Sequence, residues 1–232
     1  MVKIISWNET SLPFKELELV TFLREIDDRS GVICGVSEAR MDRLGTGFID
    51  ITRQGFHVFG YAAHRQGVLL YCSPHLRVIP LDEYCIASVE ICCVTVKFEN
   101  TAIVFPYCHD GNSLVGIEKL TQLLTQLSTR FTSIAVMGDL NAKPWNTAGR
   151  FLRRFLASSI FSSLLEDVPT HGCHHLDYAL VTEPSWKLEI LDELSSDHKP
   201  LVLQLHSSLP RSDSFYVSWN RFGRLLSLCP FL

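Results

Sequence analysis

The sequence predicts an α/β protein in which two mixed β-sheets pack together and helices cover their outer faces, giving a four-layered sandwich. Short apolar runs of strand length alternate with runs at helical spacing, and the first three follow the order strand, helix, strand. Between about residues 55 and 107, β-branched runs separated by turn residues indicate antiparallel hairpins. With 232 residues, 47% of them hydrophobic, the chain can form one large core.

The first half begins with a predicted strand over Val2–Trp7 and a second over Gly31–Val36. Apolar residues at helical spacing between Phe14 and Ile26 predict a helix that joins them. A β-α-β unit of this kind implies that its two strands are parallel. The predicted hairpin strands follow at Val68–Cys72, Leu76–Ile79, Ile86–Phe98 and Ala102–Tyr107.

The second half repeats the alternation. An apolar stripe from Leu114 to Leu127 predicts a helix with Ser113 as its N-cap, and Ile134–Met137 predicts a strand. The remaining predicted elements are helices over Ala148–Leu156 and Ser158–Leu165 and strands near Leu176–Val181, Leu188–Leu191 and Leu201–Leu205. Because Ser207–Asp213 has the composition of a linker, we expect a domain over residues 1–206 and a linker or tail over 207–232.

Charge and composition exclude several classes of protein. The net charge of −4 excludes nucleic-acid binding by overall basicity, so a nucleic-acid partner needs a local basic patch. No apolar run approaches the roughly 18 residues of a membrane span, and we expect no membrane partner. Residues 1–7 lack the long apolar stretch that a secretory signal would have, and the eight cysteines form no C-x-x-C pair. These features predict reduced thiols in an intracellular protein.

Polar residues cluster where the predicted strands end. They are Asn8, Glu38, Tyr107, Asp139, Asn141, Asp177, Asp197 and His198. Ligands of open α/β sheets bind at one rim of the strands, so these side chains can converge on a single site. Taken alone, Asn8 is typical of a turn and Glu38 of a solvated loop. Asp177, however, lies inside an apolar strand, where a buried carboxylate needs a partner, and His198 is the obvious candidate.

This set of residues resembles the endonuclease/exonuclease/phosphatase superfamily, which contains DNase I and the apurinic endonucleases, and the resemblance implies a DNase I-like fold. The matching motifs, spread over residues 2 to about 206, are Trp7-Asn8, Ser37-Glu38, Tyr107, Gly138-Asp139-Leu140-Asn141, Leu176-Asp177-Tyr178 and Ser196-Asp197-His198.

A narrower resemblance rests on the amino-acid sequences of four segments. Gly138–Asn146, Val168-Pro169-Thr170-His171, Leu176-Asp177-Tyr178 and Leu194–Pro200 are similar to the apurinic-type endonuclease domain of Jockey-like non-LTR retrotransposons. The tail Tyr216–Phe222 is similar to the segment that joins endonuclease to reverse transcriptase in those polyproteins.

Phosphodiester hydrolysis requires a neutralised phosphate, a positioned water and a stabilised leaving oxygen. Mg²⁺ (or Mn²⁺ in its place) prefers oxygen ligands, so Glu38 is the best candidate ligand, with Asn8 beside it and Asp197 completing the site. The resemblance implies that Asp177 orients His198 toward the phosphoryl group. It also implies that Asp139 and Asn141 position the attacking water and that Tyr107 donates its hydroxyl to the phosphate. Either Asp139 or His198 can be the general base.

Basic and polar residues near these motifs suggest a modest DNA-binding surface. The candidates are Arg150, Arg153, Arg154, Lys143, Lys199, Asn112 and Thr170. An ordinary solvated helix face explains the arginines equally well. Trp145 is either a wedge against DNA or a local packing anchor.

These observations predict a Mg²⁺-dependent endonuclease that nicks double-stranded DNA and leaves a 3′-hydroxyl. In a retrotransposon that hydroxyl would prime reverse transcription of the element RNA by the reverse transcriptase of the same polyprotein, in the nucleus, and we expect the isolated domain to be monomeric. Three alternatives stay open. They are a phosphoinositide or sphingomyelin phosphatase of the same fold, a zinc-binding module using Cys108, His109, His171, Cys173, His174 and His175, and a degenerate element copy that binds DNA without cutting it.

Overall fold

A computed structural model describes residues 1–9, 12–39, 47–62, 67–165, 169–192 and 195–205. The predicted tail, residues 207–232, lies outside these ranges, as does the predicted domain end at His206. The domain boundary therefore stays a prediction.

The strands, in chain order, are β1 (Val2–Asn8), β2 (Val32–Ser37), β3 (Gly47–Arg53), β4 (Phe56–Ala62), β5 (Val68–Cys72), β6 (Val78–Pro80), β7 (Ile86–Ala87), β8 (Ile91–Phe98), β9 (Thr101–Cys108), β10 (Ser133–Asp139), β11 (Ser162–Ser163), β12 (Asp177–Val181), β13 (Lys187–Ile190) and β14 (Leu201–Leu205). The helices are α1 (Leu12–Ile26), α2 (Ser113–Leu127) and α3 (Thr147–Ser158), and short 3₁₀ turns lie at Asp82–Tyr84 and Asp110–Asn112.

The strands form two mixed sheets. The first has the order β13-β14-β1-β2-β5-β4-β3, with β1 and β2 parallel, as the predicted β-α-β unit requires, and the other pairs antiparallel. The second has the order β11-β12-β10-β9-β8-β6, with β7 also pairing β8 and with β9 and β10 parallel. The predicted two-sheet arrangement is confirmed.

Three apolar clusters hold the four layers together. One fills the space between the sheets, where Phe105 packs so closely on β2 that a Cβ at Gly35 would lie 2.1 Å from its ring. The second lies between the first sheet and α1, which buries Leu19 and Leu23 there. The third lies between the second sheet and helices α2 and α3. Burial of apolar area on both faces of each sheet stabilises this order of layers.

Several predicted elements need correction. The helix over Ser158–Leu165 is wrong: α3 ends at Ser158, and Ser162–Ser163 instead pair with β12 as an edge strand. The hairpin of β3 and β4 was not predicted. Ser113 is the first residue of α2 rather than its N-cap, which is Asn112.

Composition led to two further expectations, one about membrane-spanning segments and one about the cysteines. In the ranges that the structure covers, no helix is long and apolar enough to cross a membrane. The cysteines in those ranges are all free thiols, and Cys173 is the exposed one among them.

Candidate active site

The polar residues that end the strands meet where the two sheets come together. Asn8 is the last residue of β1, and Glu38 directly follows the parallel strand β2. In the second sheet, Asp139 ends β10 and lies between Tyr107 on β9 and Asp177 on β12 in the cross-strand register. Tyr107, Asp139 and Asp177 thus form one row across three strands of the second sheet. Asn8, at the end of β1 in the first sheet, contacts this row at Asp139.

Hydrogen bonds join the two sheets at this point. The amide nitrogen of Asn8 lies 3.0 Å from Oδ2 of Asp139 and 3.3 Å from Oε1 of Glu38. The hydroxyl of Tyr107 donates to the same Glu38 oxygen at 2.9 Å. Asn8 therefore donates to a carboxylate of each sheet.

The turn after β10 is shaped around Asp139. Asn141 adopts the left-handed conformation (φ 48°), and its N–H donates to Oδ1 of Asp139 at 2.9 Å while its side chain donates to the Cys108 carbonyl. Glu38 has a similar backbone (φ 52°). Strained backbone of this kind in non-glycine residues persists where surrounding contacts hold it, and it is common at functional sites.

The sequence prediction that Asp177 pairs with His198 is confirmed by geometry. Nδ1 of His198 lies 2.8 Å from Oδ2 of Asp177, and both side chains are buried. Burial alone would lower the pKa of His198, but the hydrogen bond and charge of Asp177, with the charge of Asp139, raise it to about 9. Burial, with the adjacent Asp177 carboxylate, raises the pKa of Asp139 well above the usual value, although His198 and two hydrogen bonds oppose this.

The loop that carries His198 is tied to β1 by two residues to which sequence reasoning assigned no role. Ser196 donates its hydroxyl to the carbonyl of Asn8, and the indole N–H of Trp7 donates to the carbonyl of His198 at 3.1 Å. These bonds fix the imidazole next to the end of β1. The sequence signal that could have indicated this contact was the serine directly before Asp197-His198.

Asp197, predicted to complete the metal site, has a partner that the sequence did not indicate. Its Oδ2 lies 2.8 Å from Nε2 of His171, whose ring in turn packs on that of His198 with centroids 4.5 Å apart. Burial opposes the change, but the hydrogen bond and charge of His171 lower the pKa of Asp197.

Thr170 is not a DNA contact, because it is completely buried. Its hydroxyl accepts the backbone N–H groups of Leu176 at 3.1 Å and Asp177 at 3.0 Å, and its carbonyl accepts the N–H of Lys199. Thr170 therefore fixes the start of β12 and, through it, the carboxylate behind His198. The structure corrects the predicted role to a positioning one.

The other predicted DNA-binding residues are at least partly exposed. Asn112, Arg150, Arg153 and Arg154 are exposed, whereas Lys143 and Lys199 are half-buried. Arg150 donates to the carbonyl of Trp145 and Arg153 to that of Pro144, so both guanidinium groups brace the loop before α3. Trp145 is exposed and lies beside His174, with ring centroids 6.0 Å apart.

Glu9 is a buried carboxylate that the sequence analysis missed. It follows Asn8, is completely buried, and neither carboxylate oxygen has a hydrogen-bond partner among the described residues. Burial raises its pKa to about 8, against the opposing charge of Lys15. At neutral pH Glu9 is therefore a neutral acid beneath the rim, and it adds no negative charge there.

The donor atoms at the rim fit a divalent cation. Glu38 and Asp139 offer carboxylate oxygens that Asn8 links together, and within the described part of the chain Asp139, Asp177 and His198 also form a three-donor group with atoms within 4.8 Å of one another. The carboxyl groups of Glu38, Asp139 and Asp177 outnumber the imidazole of His198, so a hard cation would favour their ionised forms.

The two packed sheets and the acidic rim with its Asp–His pair define a DNase I-like α/β sandwich with a hydrolase-type site. A family model described as the endonuclease/exonuclease/phosphatase family matches residues 6–198. The chain belongs to this family of nucleases and phosphatases, which are phosphoester hydrolases, and the resemblance drawn from the motifs is confirmed. A search of curated proteins found no match.

Solved structures share the fold at low sequence identity. A 3′ phosphatase, NExo, from Neisseria bound to a product DNA hairpin is 15% identical, with a TM-score of 0.69 over 89% of this chain and 100% of that chain. An AP endonuclease from Archaeoglobus fulgidus is 18% identical, with a TM-score of 0.69 over 88% and 99%. The endonuclease domain of TRAS1, a telomere-specific non-LTR retrotransposon, is 18% identical, with a TM-score of 0.60 over 90% and 100%.

Proposed function

We propose that this protein is a Mg²⁺-dependent DNA endonuclease that hydrolyses one phosphodiester of double-stranded DNA and leaves a 3′-hydroxyl. The observation that carries the proposal is the convergence of Glu38, Asn8 and Asp139 with the buried Asp177–His198 pair at one rim. This set supplies oxygen ligands for a hard cation, an imidazole that can donate a hydrogen bond to phosphate, and a carboxylate that can position the attacking water.

Glu38 and Asn8 would hold the metal ion, and their oxygen donors suit Mg²⁺ better than a softer ion. When bound, such an ion neutralises charge on the phosphate and the leaving oxygen, and it favours the carboxylate form of Asp139. Asp197 is tied to His171, so its predicted part in this site is the weakest of the three.

His198 meets the phosphate as a cation. Asp177 holds Nδ1, so Nε2 is the nitrogen that can donate to a phosphate oxygen, and the pKa of about 9 keeps the ring protonated at neutral pH. A protonated imidazole cannot accept a proton. Asp139 has a raised pKa as well, but a cation at Glu38 and Asn8 would favour its carboxylate form. Asp139 is therefore the better candidate for the group that positions and deprotonates the attacking water, with Asn141 beside it.

Tyr107 is placed to assist at the same phosphate. Its hydroxyl already lies 2.9 Å from the Glu38 carboxylate, at the position opposite Asp139 in the neighbouring strand. A hydroxyl in this place can donate to a phosphate oxygen when substrate binds.

The test is incubation of supercoiled plasmid with the protein in Mg²⁺ or in EDTA, followed by mapping of the cut ends. We expect open circles in Mg²⁺ alone, and ends that a polymerase extends without further treatment. His198→Ala should abolish nicking while the circular dichroism spectrum stays that of the wild type. Release of phosphate from an inositol lipid or from a 3′-phosphorylated DNA hairpin, with the plasmid intact, would instead assign the site to a phosphatase.

The retrotransposon setting is part of the proposal. The Pro169-Thr170 and Ser195-Ser196-Asp197-His198 segments support it, as does the shared fold of the TRAS1 domain. A 3′-hydroxyl at the nick would prime copying of the element RNA by a reverse transcriptase in the nucleus. If reverse transcriptase and an RNA template added to nicked plasmid give no extension from the cut strand, this setting is wrong.

The DNA surface can be tested on α3. Arg154 is exposed, whereas Arg150 and Arg153 also brace the neighbouring loop, so Arg154→Glu perturbs the surface with the least structural change. We expect weaker nicking at 150 mM salt and a smaller salt dependence, because each phosphate contact contributes about 0.9 to the slope of log K against log salt. Lys187→Glu on β13 is the matched control. Equal effects of both variants would show that general charge, rather than α3, governs binding.

A further inference from the structure

A second group of potential metal ligands lies beside the site just described. The hairpin over residues 170–175 and the loop over 195–199 are joined by backbone contacts, with His171 bridged to both His174 and His198 and with the Lys199 N–H donating to the Thr170 carbonyl at 2.8 Å. This pairing brings His171 of the hairpin together with Asp197 and His198 of the loop.

The donor atoms of these three side chains are already close. Nε2 of His171 lies 2.8 Å from Oδ2 of Asp197, the two imidazole rings are 4.5 Å apart, and one donor atom from each residue falls within 4.8 Å of the others. An ion that displaced the His171–Asp197 hydrogen bond could contact all three with small side-chain rotations.

The group is reachable and its ligating nitrogens are defined. The Asp197 side chain is 66% exposed and that of His171 is 32% exposed, so the pair opens to solvent. Nδ1 of His171 is buried, which leaves Nε2 as the nitrogen on the Asp197 side. Nδ1 of His198 is engaged by Asp177, which likewise leaves Nε2, and a carboxylate behind a ligating histidine is the usual outer support of a zinc ligand.

The chemistry of the three donors differs from that of the Glu38 site. Two imidazoles and one carboxylate are ligands that Zn²⁺ takes in tetrahedral sites with an open fourth position. Mg²⁺ prefers oxygen donors and binds imidazole poorly. The cysteine-containing zinc set considered from the sequence is not assembled: among the described residues, Cys108, Cys173, His174 and His175 join no three-donor group.

We propose that His171, Asp197 and His198 form a Zn²⁺ site, separate from the oxygen donors of Glu38 and Asn8, and that zinc bound there blocks hydrolysis by occupying Nε2 of His198. The binding part of this proposal stands on the three side chains alone. The inhibition part rests on the proposed function, because it requires His198 to contact the phosphate.

The binding test uses the full chain, ZnSO₄ and a chromophoric zinc chelator as competitor, without Mg²⁺. We expect one equivalent of zinc, with the affinity lowered at least 10-fold in His171→Ala and in His171→Gln. The matched control is His174→Ala, which removes an imidazole of the same hairpin. His174 lies 3.9 Å from the Cys173 sulfur, so this variant also tests whether zinc binds to His174 and Cys173 instead. His57→Ala is a second control, since it removes a histidine–aspartate pair elsewhere.

The outcomes are distinct. Zinc affinity that is unchanged in both His171 variants, or lowered equally in His174→Ala, would overturn the site. A Co²⁺ spectrum with the d–d bands of a tetrahedral ion in the wild type, lost in His171→Gln, would support it. Thermal melts of each variant without metal show whether the fold is retained, and the two His171 substitutions give independent chances of a folded protein.

The inhibition test measures plasmid nicking in Mg²⁺ while zinc is raised through the affinity found by competition. Each variant is normalised to its own rate without zinc. We expect at least a 10-fold loss in the wild type and in His174→Ala, and a curve shifted to at least 10-fold higher zinc in His171→Ala. Zinc binding at the three residues with no loss of nicking would overturn the inhibition. If the wild type cuts no plasmid, the proposed function fails while the competition titration still decides the site.

Discussion

Glu16 and Asp139 are both buried carboxylates, and their neighbours act on their charge in opposite directions. Glu16, on α1, accepts hydrogen bonds from the guanidinium of Arg53 and from the hydroxyl of Tyr71. Burial opposes the change, but these donors lower the pKa of Glu16. Asp139 lies opposite another carboxyl group, that of Asp177, and burial together with the charge of Asp177 raises the pKa of Asp139.

This difference is the one expected between a structural carboxylate and a carboxyl group of the proposed active site. The Glu16 cluster joins α1 to β3 and β5 of the first sheet, and each charge in it is matched, so it contributes to stability. The Asp139 cluster has more carboxyl groups than its single imidazole can match, so the charged form of Asp139 is disfavoured until a cation binds. A buried carboxyl group with a pKa perturbed in this way is characteristic of a site that receives a ligand.

Asp139→Asn should give the largest effect. Loss of a positioned acid or base costs about 10²–10⁴-fold in rate, so nicking should fall by about that factor. Stability should stay equal or rise, since the change removes a carboxyl group whose charged form burial and the facing Asp177 disfavour. Plasmid nicking and thermal melting measure the two effects.

Asp28→Asn, on an exposed aspartate, is the control for Asp139→Asn and should change neither property by much. If Asp139→Asn instead unfolded the protein and left the rate of the remaining folded fraction unchanged, Asp139 would be a structural residue like Glu16.

Asp177→Asn should lower the rate by about 100-fold, because the amide no longer favours the charged imidazole or fixes its orientation. Asp177 raises the pKa of His198, so without it that pKa falls from about 9. The protonated ring is then lost at lower pH, and the alkaline limb of the pH–rate profile should move in that direction. An unmoved profile would show that the pair does not act in the reaction.

The strand ends were the part of the site that the sequence could predict. Asn8, Glu38 and Asp139 each end an apolar run, and parallel pairing brings such ends together. Asp177 begins an apolar run instead, and antiparallel pairing of β12 with β10 places it opposite Asp139. The contact between His171 and Asp197 was not predictable in the same way. It depends on how a hairpin and a loop 26 residues apart lie against each other, and no periodic pattern encodes that.

The missed elements have local explanations. Gln54 and Gly55 both have positive φ, as a two-residue hairpin turn requires, but glutamine is an unusual residue for that place, so the β3–β4 hairpin gave a weak signal. The wrong helix over Ser158–Leu165 followed apolar spacing alone. Its serines form helices poorly, and pairing with β12 decides their conformation.

Arg53→Met tests the structural role of the Glu16 cluster. It should lower the free energy of unfolding by about 1–3 kcal/mol, because it leaves Glu16 buried with only Tyr71 as a donor. In a chain of this size that is a fall in melting temperature of roughly 2–4 °C per kcal/mol. Nicking by the folded protein should be unaffected, since the cluster lies on the α1 side of the first sheet.

Arg130→Met is the matched control for Arg53→Met, because Arg130 also donates to a glutamate, Glu83, and to a tyrosine hydroxyl, that of Tyr84, but its ion pair lies on the surface, where both charged side chains are 55% exposed. An exposed pair contributes about 0–1 kcal/mol. If the two variants lost the same stability, the Glu16 cluster would contribute no more than a surface ion pair.

The smallest effect is the pH dependence of that loss. The pKa of Glu16 lies below its ordinary value of 4.5 in the folded protein, so the stability it contributes is fully present above about pH 4.5 and is lost as the pH falls through the lower, folded value. Removing Arg53 leaves burial to raise the pKa of Glu16 in the variant, so the difference in urea unfolding between wild type and Arg53→Met should be largest near pH 7, shrink as the pH falls and disappear below about pH 4.5. If the difference in unfolding free energy instead grew on acidification, Arg53 would stabilise the fold through its packing or another partner. Its pairing with the Glu16 carboxylate would then not be the cause.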